Sequence, residues 1–193
     1  MTGTPPDFDD AFRDRLAELF AWRRDVRRFR PDPVDPALVT GLLEQACLSP
    51  SVGNSQPWRF VLVEEAARRD AITGNFRRAN AAALADYDGD RAVNYAMLKL
   101  AGLAEAPVHL AVFADTETSR GHGLGRRTMP EMLAYSAVGA VQSLWLAARA
   151  AGLGVGWVSI LDPAEAHAAL DVPEDWKLVA YLCLGWPVEE HDD

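Results

Sequence analysis

Apolar residues near the start of the chain recur with the period of an α-helix. Phe8, Phe12, Leu16 and Phe20 are each four positions apart, which places them on one face of an amphipathic helix. Residues 1–20 are therefore predicted to contain an N-terminal helix that leads directly into the basic residues that follow it.

Further along the chain, helical stretches alternate with short β-rich runs. The predicted helices after the first lie at residues 35–49, at 65–103 with a break near 86–90, at 130–152 and from the capping box at 162–165 onward. The predicted strands lie at residues 59–63, 108–114, 155–160 and 177–184. Residues 115–130 are predicted as a polar loop. This order predicts an α+β fold in which a small mixed sheet is wrapped by helices.

Length and composition narrow the class of protein. The 193 residues are 49% hydrophobic, which fits one domain over residues 1–193. The run from Met132 to Ala148 is uncharged but too short to span a membrane, so it is predicted as a helix buried on all sides. We expect no membrane anchor and, because the N-terminus lacks an apolar signal-peptide core, no secretion.

Charge, cysteine content and histidine spacing narrow the possible partners, location and metal sites of the protein. The formal net charge of −9, from 28 acidic and 19 basic residues, argues against nucleic acid as a partner. Cys47 and Cys183 provide no disulfide framework, which favours a reduced cytoplasmic location. The four histidines stand at no metal-ligand spacing, so no metal is predicted.

Two short segments carry the candidate chemistry. The first, called the arginine segment, is Arg23–Arg30, with five arginines in eight positions. In an acidic chain such a cluster favours one fixed anion, because a guanidinium group matches phosphate oxygens in a fork; the alternative is a solvated helix end. The second, called the polar loop, is Pro50–Trp58, whose short polar residues and backbone N–H groups suit a planar ligand or simply stabilise a turn.

Together these segments resemble the FMN proteins of the nitroreductase family, which have an Arg-Arg-x-x-Arg-x-Phe entry and a Ser-x-x-Asn-x-Gln-Pro-Trp loop. Further matches are Lys99-Leu100, Gly102, Glu105-Ala106-Pro107 and the glycine-rich run at residues 152–160. The similarity extends from about residue 20 to residue 187. Asp25 resembles the branch that makes 5,6-dimethylbenzimidazole, the lower ligand of vitamin B12.

The resemblance implies a set of site residues. The residues expected to bind FMN are Arg23, Arg24, Asp25, Val26, Arg27, Ser51, Asn54, Gln56, Leu100, Gly156 and Ser159. Asp25 and Ser159 are also expected to assist proton transfer. Without the resemblance, the residues themselves favour an ion-pair partner of the arginines for Asp25, and the alternative for Ser159 is a strand serine hydrogen-bonded to the main chain. Gly156 is expected to allow close approach of the flavin, and Leu100 is equally well an interior leucine. Arg126 and Arg127 either cover the site or belong to a solvated loop.

The implied function is an oxygen-dependent conversion of reduced FMN to 5,6-dimethylbenzimidazole, with release of a four-carbon sugar phosphate. A homodimer is implied, with the polar loop reaching the partner's flavin, and a separate NAD(P)H-dependent flavin reductase would supply reduced FMN. The alternatives are an NAD(P)H-dependent nitroreductase that retains its FMN and a non-catalytic flavin-binding module. No Lys or Arg follows Lys177, so either the chain continues to a further phosphate contact or the arginine segment binds phosphate alone.

Overall fold

The computed structural model describes residues 4–84 and 100–189. Its helices are α1 (Asp10–Trp22), α2 (Pro36–Ala46), α3 (Ala66–Leu84), α4 (100–105), α5 (Met132–Ala150) and α6 (Pro163–Leu170). Its strands are β1 (Trp58–Leu62), β2 (Val108–Asp115), β3 (Gly154–Val158) and β4 (Trp176–Gly185). Two 3₁₀ turns, η1 (Val52–Asn54) and η2 (Arg120–Gly123), lie in the loops. The predicted break near 86–90 lies outside the described residues.

Aspartates begin three of these helices. The carboxylates of Asp9, Asp35 and Asp162 accept hydrogen bonds from the first-turn backbone N–H groups at 2.8, 2.9 and 2.9 Å, which satisfies donors that the helix leaves unpaired. Proline follows two of them at the first helical position, where it has no hydrogen bond to lose. The predicted starts at Asp35 and Asp162 are thereby confirmed.

The four strands form one antiparallel sheet in the order β1-β2-β4-β3. A parallel bridge between Asp25 and Val155 adds the arginine segment outside β3. The sheet therefore runs from the polar loop, which leads into β1 at one edge, to the arginine segment at the other. The predicted α+β class is confirmed, and among the described residues the parallel part of the predicted mixed sheet is limited to this bridge.

Helices cover both faces of the sheet, and alternate residues of each strand enter different cores. Leu110 and Val112 of β2 pack with α2 and α5 in one cluster. Ala111 and Phe113 pack with α3 and α6 in the other. The core thus consists of two layers separated by the sheet, an arrangement that holds both sheet edges rigid.

Two helices keep apolar surface exposed. Every residue of α1 is exposed or half-exposed, with Phe12 at 45% and Phe20 at 50%. The prediction that α5 is buried on all sides is wrong, because Tyr135 and Val138 are 57% and 40% exposed. One face of α5 fills the core and the opposite stripe does not. None of the described helices is long and apolar enough to cross a bilayer.

Candidate active site

The arginine segment is held at the sheet edge by main-chain hydrogen bonds to β3 and to Trp186, and by the side chain of Asp25. Val26 N–H donates to the Val155 carbonyl at 3.0 Å, and Trp157 N–H donates to Asp25 Oδ1 at 2.9 Å. Further on, Arg30 N–H donates to the Trp186 carbonyl at 2.8 Å. Because the main chain is fixed in this way, the side chains between these points have defined directions.

The glycines of β3 make this docking possible. A Cβ atom at Gly156 would lie 2.3 Å from the Val26 carbonyl oxygen, and one at Gly154 would lie 2.5 Å from Val26 Cγ2. Close backbone approach was the basis for predicting Gly156 as a flavin contact. In this structure the approaching group is the protein's own arginine segment, which explains both glycines without a ligand. The flavin contacts of Gly156 and Val26 stay predictions.

Glu105 clamps the arginine segment from α4. Its carboxylate accepts from Arg28 Nε at 2.9 Å and lies 2.8 Å from Arg28 Nη2, and it also accepts from Phe29 N–H at 3.2 Å. The hydrogen bond from Arg28 is the largest cause that holds the pKa of Glu105 below its usual range. Glu105 was noticed only as part of a motif, and nothing local in the sequence indicates that its partner is Arg28.

Trp145 of α5 supports the same segment. Its Nε1 donates to the Arg24 carbonyl at 3.1 Å, and the Arg23 guanidinium lies 5.0 Å from the centre of its ring. A buried tryptophan needs an acceptor for its N–H. This requirement is the feature of the sequence that could have indicated a polar contact of Trp145. At this distance the Arg23 cation interacts favourably with the face of the ring.

The two predicted catalytic residues lie on the same strand edge. Asp25 Oδ1 bonds to Trp157 N–H, and Ser159 follows only two residues later, about 7 Å further along an extended chain. The other carboxylate oxygen, Oδ2, is 3.8 Å from Arg27 Nε. Ser159 is exposed just after the end of β3. Asp25 therefore has a structural contact with β3 as well as the predicted arginine contact.

The polar loop is stabilised by its own residues. Ser51 Oγ accepts from Gln56 N–H at 3.0 Å. Gly53, Asn54 and Gln56 have φ values of 55°, 54° and 45°, a left-handed conformation that residues with side chains rarely adopt. These contacts are the turn-stabilising alternative for Ser51, and the flavin contacts of Ser51, Asn54 and Gln56 stay predictions.

A second loop packs against the polar loop. Arg120 Nη1 donates to Gln56 Oε1 at 2.6 Å. A Cβ atom at Gly121 would lie 2.5 Å from the Gly53 carbonyl oxygen, and one at Gly53 would lie 2.8 Å from the Leu124 carbonyl oxygen. Glycine is therefore required on both sides of this contact.

Within one chain the two predicted flavin motifs do not converge. Val52 N–H donates to Ser136 Oγ and Trp145 Nε1 donates to the Arg24 carbonyl, so the motifs contact α5 nine residues apart, about 14 Å along its axis. Across the sheet they are separated by four strand spacings, on the order of 19 Å. Both separations greatly exceed a hydrogen bond, so one ligand atom cannot contact both motifs of the same chain.

The donor groups of the arginine segment fit a phosphorylated ligand such as FMN. Arg23 and Arg24 are half-buried and Arg27 is more exposed, so their guanidinium groups lie at the surface on a rigidly held backbone. Leu100 is half-buried and packs against the core cluster that includes Phe29, in agreement with an interior leucine. Among the described residues, no group of three or more His, Cys, Asp or Glu side chains is arranged to hold a metal ion.

Comparison with known proteins agrees with this geometry. A model of the nitroreductase family matches residues 20–186. The 5,6-dimethylbenzimidazole synthase of Rhodospirillum rubrum is 62% identical over 188 residues, which cover 97% of this chain and 89% of that protein. A 5,6-dimethylbenzimidazole synthase of Rhodobacter capsulatus is 48% identical over 181 residues, covering 94% and 87%. Among solved structures, oxidized iodotyrosine deiodinase bound to FMN and 3-iodo-L-tyrosine has a TM-score of 0.77 at 26% identity and covers 91% of each chain. The chain belongs to the nitroreductase family.

Proposed function

We propose that this protein uses molecular oxygen to convert reduced FMN to 5,6-dimethylbenzimidazole, the lower ligand of vitamin B12, with release of a four-carbon sugar phosphate. The observation that carries the proposal is the 62% identity to a 5,6-dimethylbenzimidazole synthase over nearly the whole chain. The position of Asp25 beside β3, in a rigid segment that also carries the arginines, supports it.

In this proposal the arginine segment binds the phosphate of FMN. Arg23, Arg24 and Arg27 would donate charge-assisted hydrogen bonds, each contributing about 1.5–3 kcal/mol. The reduced ring of bound FMN supplies the electrons for its own reaction with oxygen. The docking of the main chain on β3 holds the backbone of the arginines in a fixed position relative to Asp25, which would orient a bound FMN.

Asp25 and Ser159 would assist the proton transfers. The five-carbon ribityl chain loses four carbons as the sugar phosphate, so the bond that breaks is the one between its first and second carbons, and the first carbon stays on the ring nitrogen as the carbon between the two nitrogens of the product. Oxygen, as the oxidant, would take up the electrons of the C–H bond at that first carbon, and the proton of this bond has to be removed. Asp25 Oδ1 is already engaged by Trp157 N–H, so Oδ2 is the oxygen assigned to accept that proton. Ser159, two residues beyond Trp157, would donate or relay a proton at the ring.

The proposal includes a homodimer with FMN at the subunit interface. One chain does not bring its two flavin motifs together, and a partner's polar loop would complete the site. The exposed apolar residues of α1 and the exposed stripe of α5 offer surface for such an interface. Reduced FMN would come from a separate NAD(P)H-dependent reductase, in the cytoplasm.

The direct test is aerobic incubation of the purified protein with chemically reduced FMN, followed by chromatography. We expect 5,6-dimethylbenzimidazole to appear in amounts that track the loss of FMN, and no product without oxygen. A matched reaction with oxidised FMN and NADH, but no added reductase, should give no product. Recovery of intact FMN together with NADH oxidation would instead identify a nitroreductase that retains its flavin.

The dimer is tested by light scattering on the wild type and on two variants. Val138→Arg places a charge on the exposed stripe of α5, whereas Ala168→Arg places the same charge on an exposed position of α6. We expect Val138→Arg alone to give monomers that bind FMN poorly. A wild-type monomer that binds FMN stoichiometrically would contradict the dimer.

A further inference from the structure

The loop between β2 and α5 lines an open surface pocket that the proposed reaction does not use. Its volume is about 400 Å³. Its polar lining consists of Thr116, Glu117, His122, Arg126 and Arg127. The loop follows β2 and contacts the polar loop, whereas the arginine segment lies beyond β3 at the opposite edge of the sheet. This cationic pocket is therefore separate from the predicted phosphate contacts of the same chain.

The backbone that builds the pocket adopts an unusual conformation. Gly121, Gly123 and Gly125 have φ values of 74°, 76° and 77°, and His122 between them has a φ of 50°. A histidine in the left-handed region is uncommon. A Cβ atom at Gly123 would lie 3.0 Å from Arg127 Nε, so glycine leaves room for that guanidinium beside the backbone. The consequence is that three basic side chains line one small cavity.

Arg126 provides the sharpest indication of what the pocket binds. Its Nη1 atom is shielded from solvent, and no atom in the described part of the chain accepts a hydrogen bond from it. A buried guanidinium N–H without an acceptor is unfavourable and calls for an explanation. Two guanidinium groups and one carboxylate line the pocket, so the acceptor that suits Arg126 is anionic.

We propose that this pocket binds a phosphate-type oxyanion through Arg126 and Arg127. Phosphate oxygens match the planar fork of a guanidinium group and supply several acceptors at once. His122 adds a further nitrogen to the lining, and the carboxylate of Glu117 partly offsets the positive charge of the two guanidinium groups. The same chemistry is offered by a free phosphate or phosphate ester and by the phosphate of FMN bound to a partner subunit.

Occupancy of the pocket would also affect the polar loop. Arg120, six residues before Arg126, donates to Gln56 Oε1 at 2.6 Å, and Gly121 packs directly against Gly53. An anion that orders residues 120–127 therefore orders the surface against which the polar loop rests. This inference concerns binding alone and does not depend on formation of 5,6-dimethylbenzimidazole.

The test uses the full chain saturated with oxidised FMN, so that predicted flavin-phosphate contacts are already filled. Inorganic phosphate is titrated calorimetrically at constant ionic strength into the wild type, Arg126→Gln/Arg127→Gln and the control Arg77→Gln, which alters an exposed arginine of α3. We expect saturable binding to the wild type and the control, and binding at least about tenfold weaker to the double variant, because two charge-assisted contacts are removed.

The arms of the experiment separate the two phosphate sources. If the double variant loses phosphate binding but keeps the FMN affinity of the wild type, the pocket is a site for free phosphate or a phosphate ester. Failure of phosphate to bind the FMN-loaded wild type, combined with at least about tenfold weaker FMN binding by the double variant, identifies the phosphate of FMN. Equal phosphate and FMN affinities in the wild type and the double variant would overturn the proposal. If the double variant does not fold, Arg127→Gln alone, which leaves the half-buried Arg126 in place, is judged by the same affinities.

Discussion

The arginine segment and the polar loop are held in place by different means. Contacts from residues distant in sequence fix the arginine segment: Trp157 bonds Asp25, Glu105 clamps Arg28 and Phe29, and Gly156 leaves room for the backbone. The polar loop is held by its own Ser51–Gln56 hydrogen bond, by the loop of η2 and by Ser136 of α5.

In the polar loop, Ser51 Oγ accepts from Gln56 N–H, and the left-handed Gly53 packs against the loop of η2. A mutation in a neighbouring element should therefore affect the arginine segment and the polar loop differently. Changes in α4 or β3 should move the arginine segment as a unit, whereas the polar loop should respond to changes within itself, in η2 and at Ser136 of α5. The following predictions test this difference.

The largest expected effect is on turnover in Asp25→Asn. Asparagine retains an oxygen that accepts from Trp157 N–H, so the arginine segment should stay docked and FMN should still bind. The base is removed, so product formation at saturating reduced FMN should fall by about 10²–10⁴-fold. Single-turnover assays measure this.

The matched control for that variant is Asp32→Asn, which removes an exposed carboxylate 3.7 Å from Arg30 Nε and should retain turnover. If Asp25 serves only to anchor β3, its Asn variant should give near-normal product per bound flavin. That result would refute the assignment of Asp25 as the base.

Gly156→Ala, a change in β3, should disrupt the packing of the arginine segment against that strand. The new Cβ atom would lie 2.3 Å from the Val26 carbonyl oxygen, so the backbone has to move. We expect a loss of about 1–3 kcal/mol in the free energy of unfolding, together with weaker FMN binding. Denaturant unfolding and flavin titration measure the two effects.

Gly41→Ala in α2 provides the control for the added methyl group. Among the described residues, its Cβ atom would meet nothing within 4 Å, so we expect a gain of about 0.5–1 kcal/mol from helix propensity. Wild-type stability in Gly156→Ala would mean that the segment is not packed tightly on β3.

Within the arginine segment, position should decide which arginines bind phosphate. Arg27→Ala and Arg23→Ala should weaken FMN binding about tenfold or more through the loss of a charge-assisted hydrogen bond. Arg30→Ala should change it little, because Arg30 lies beside Asp32 and over Trp186. Titration by flavin fluorescence compares the three variants, and equal affinities would reject the phosphate clamp.

The same contrast explains what could be predicted from the sequence. Helix starts at Asp35 and Asp162 depend on residues within one turn, so local patterns were sufficient. The docking of Asp25 on Trp157 joins residues 132 positions apart, and no local pattern encodes it. Gly156 was correctly predicted as a site of close approach, but the sequence does not state which group approaches.

The error on α5 has a similar origin. An uncharged run fits a helix buried on all sides, yet Tyr135 and Val138 are exposed because the sheet covers only one face of the helix. Trp145 was missed as a support of the arginine segment because its partner, the Arg24 carbonyl, is a backbone group. Backbone acceptors leave no signature in side-chain patterns.

The smallest expected effect concerns Glu105 and pH. The pKa of Glu105 is lowered by its hydrogen bond with Arg28, so the clamp is fully present above the ordinary carboxyl pKa of 4.5. It is lost as the pH falls through the lowered value. Glu105→Gln imitates the protonated acid at every pH. Because the ion pair is partly exposed, we expect FMN binding at neutral pH to weaken only about two- to fivefold.

The ratio of wild-type to Glu105→Gln affinity isolates this clamp, since titration of the FMN phosphate affects both proteins equally. The ratio should be constant above pH 4.5 and approach one below it. Hydrogen exchange at neutral pH should show loss of protection in Glu105→Gln at residues 23–30 but not at residues 51–57, which the Ser51–Gln56 bond holds independently. Glu44→Gln, at an exposed position of α2, controls for the lost charge. Equal loss of protection in both regions would show that the two motifs are held by one shared network.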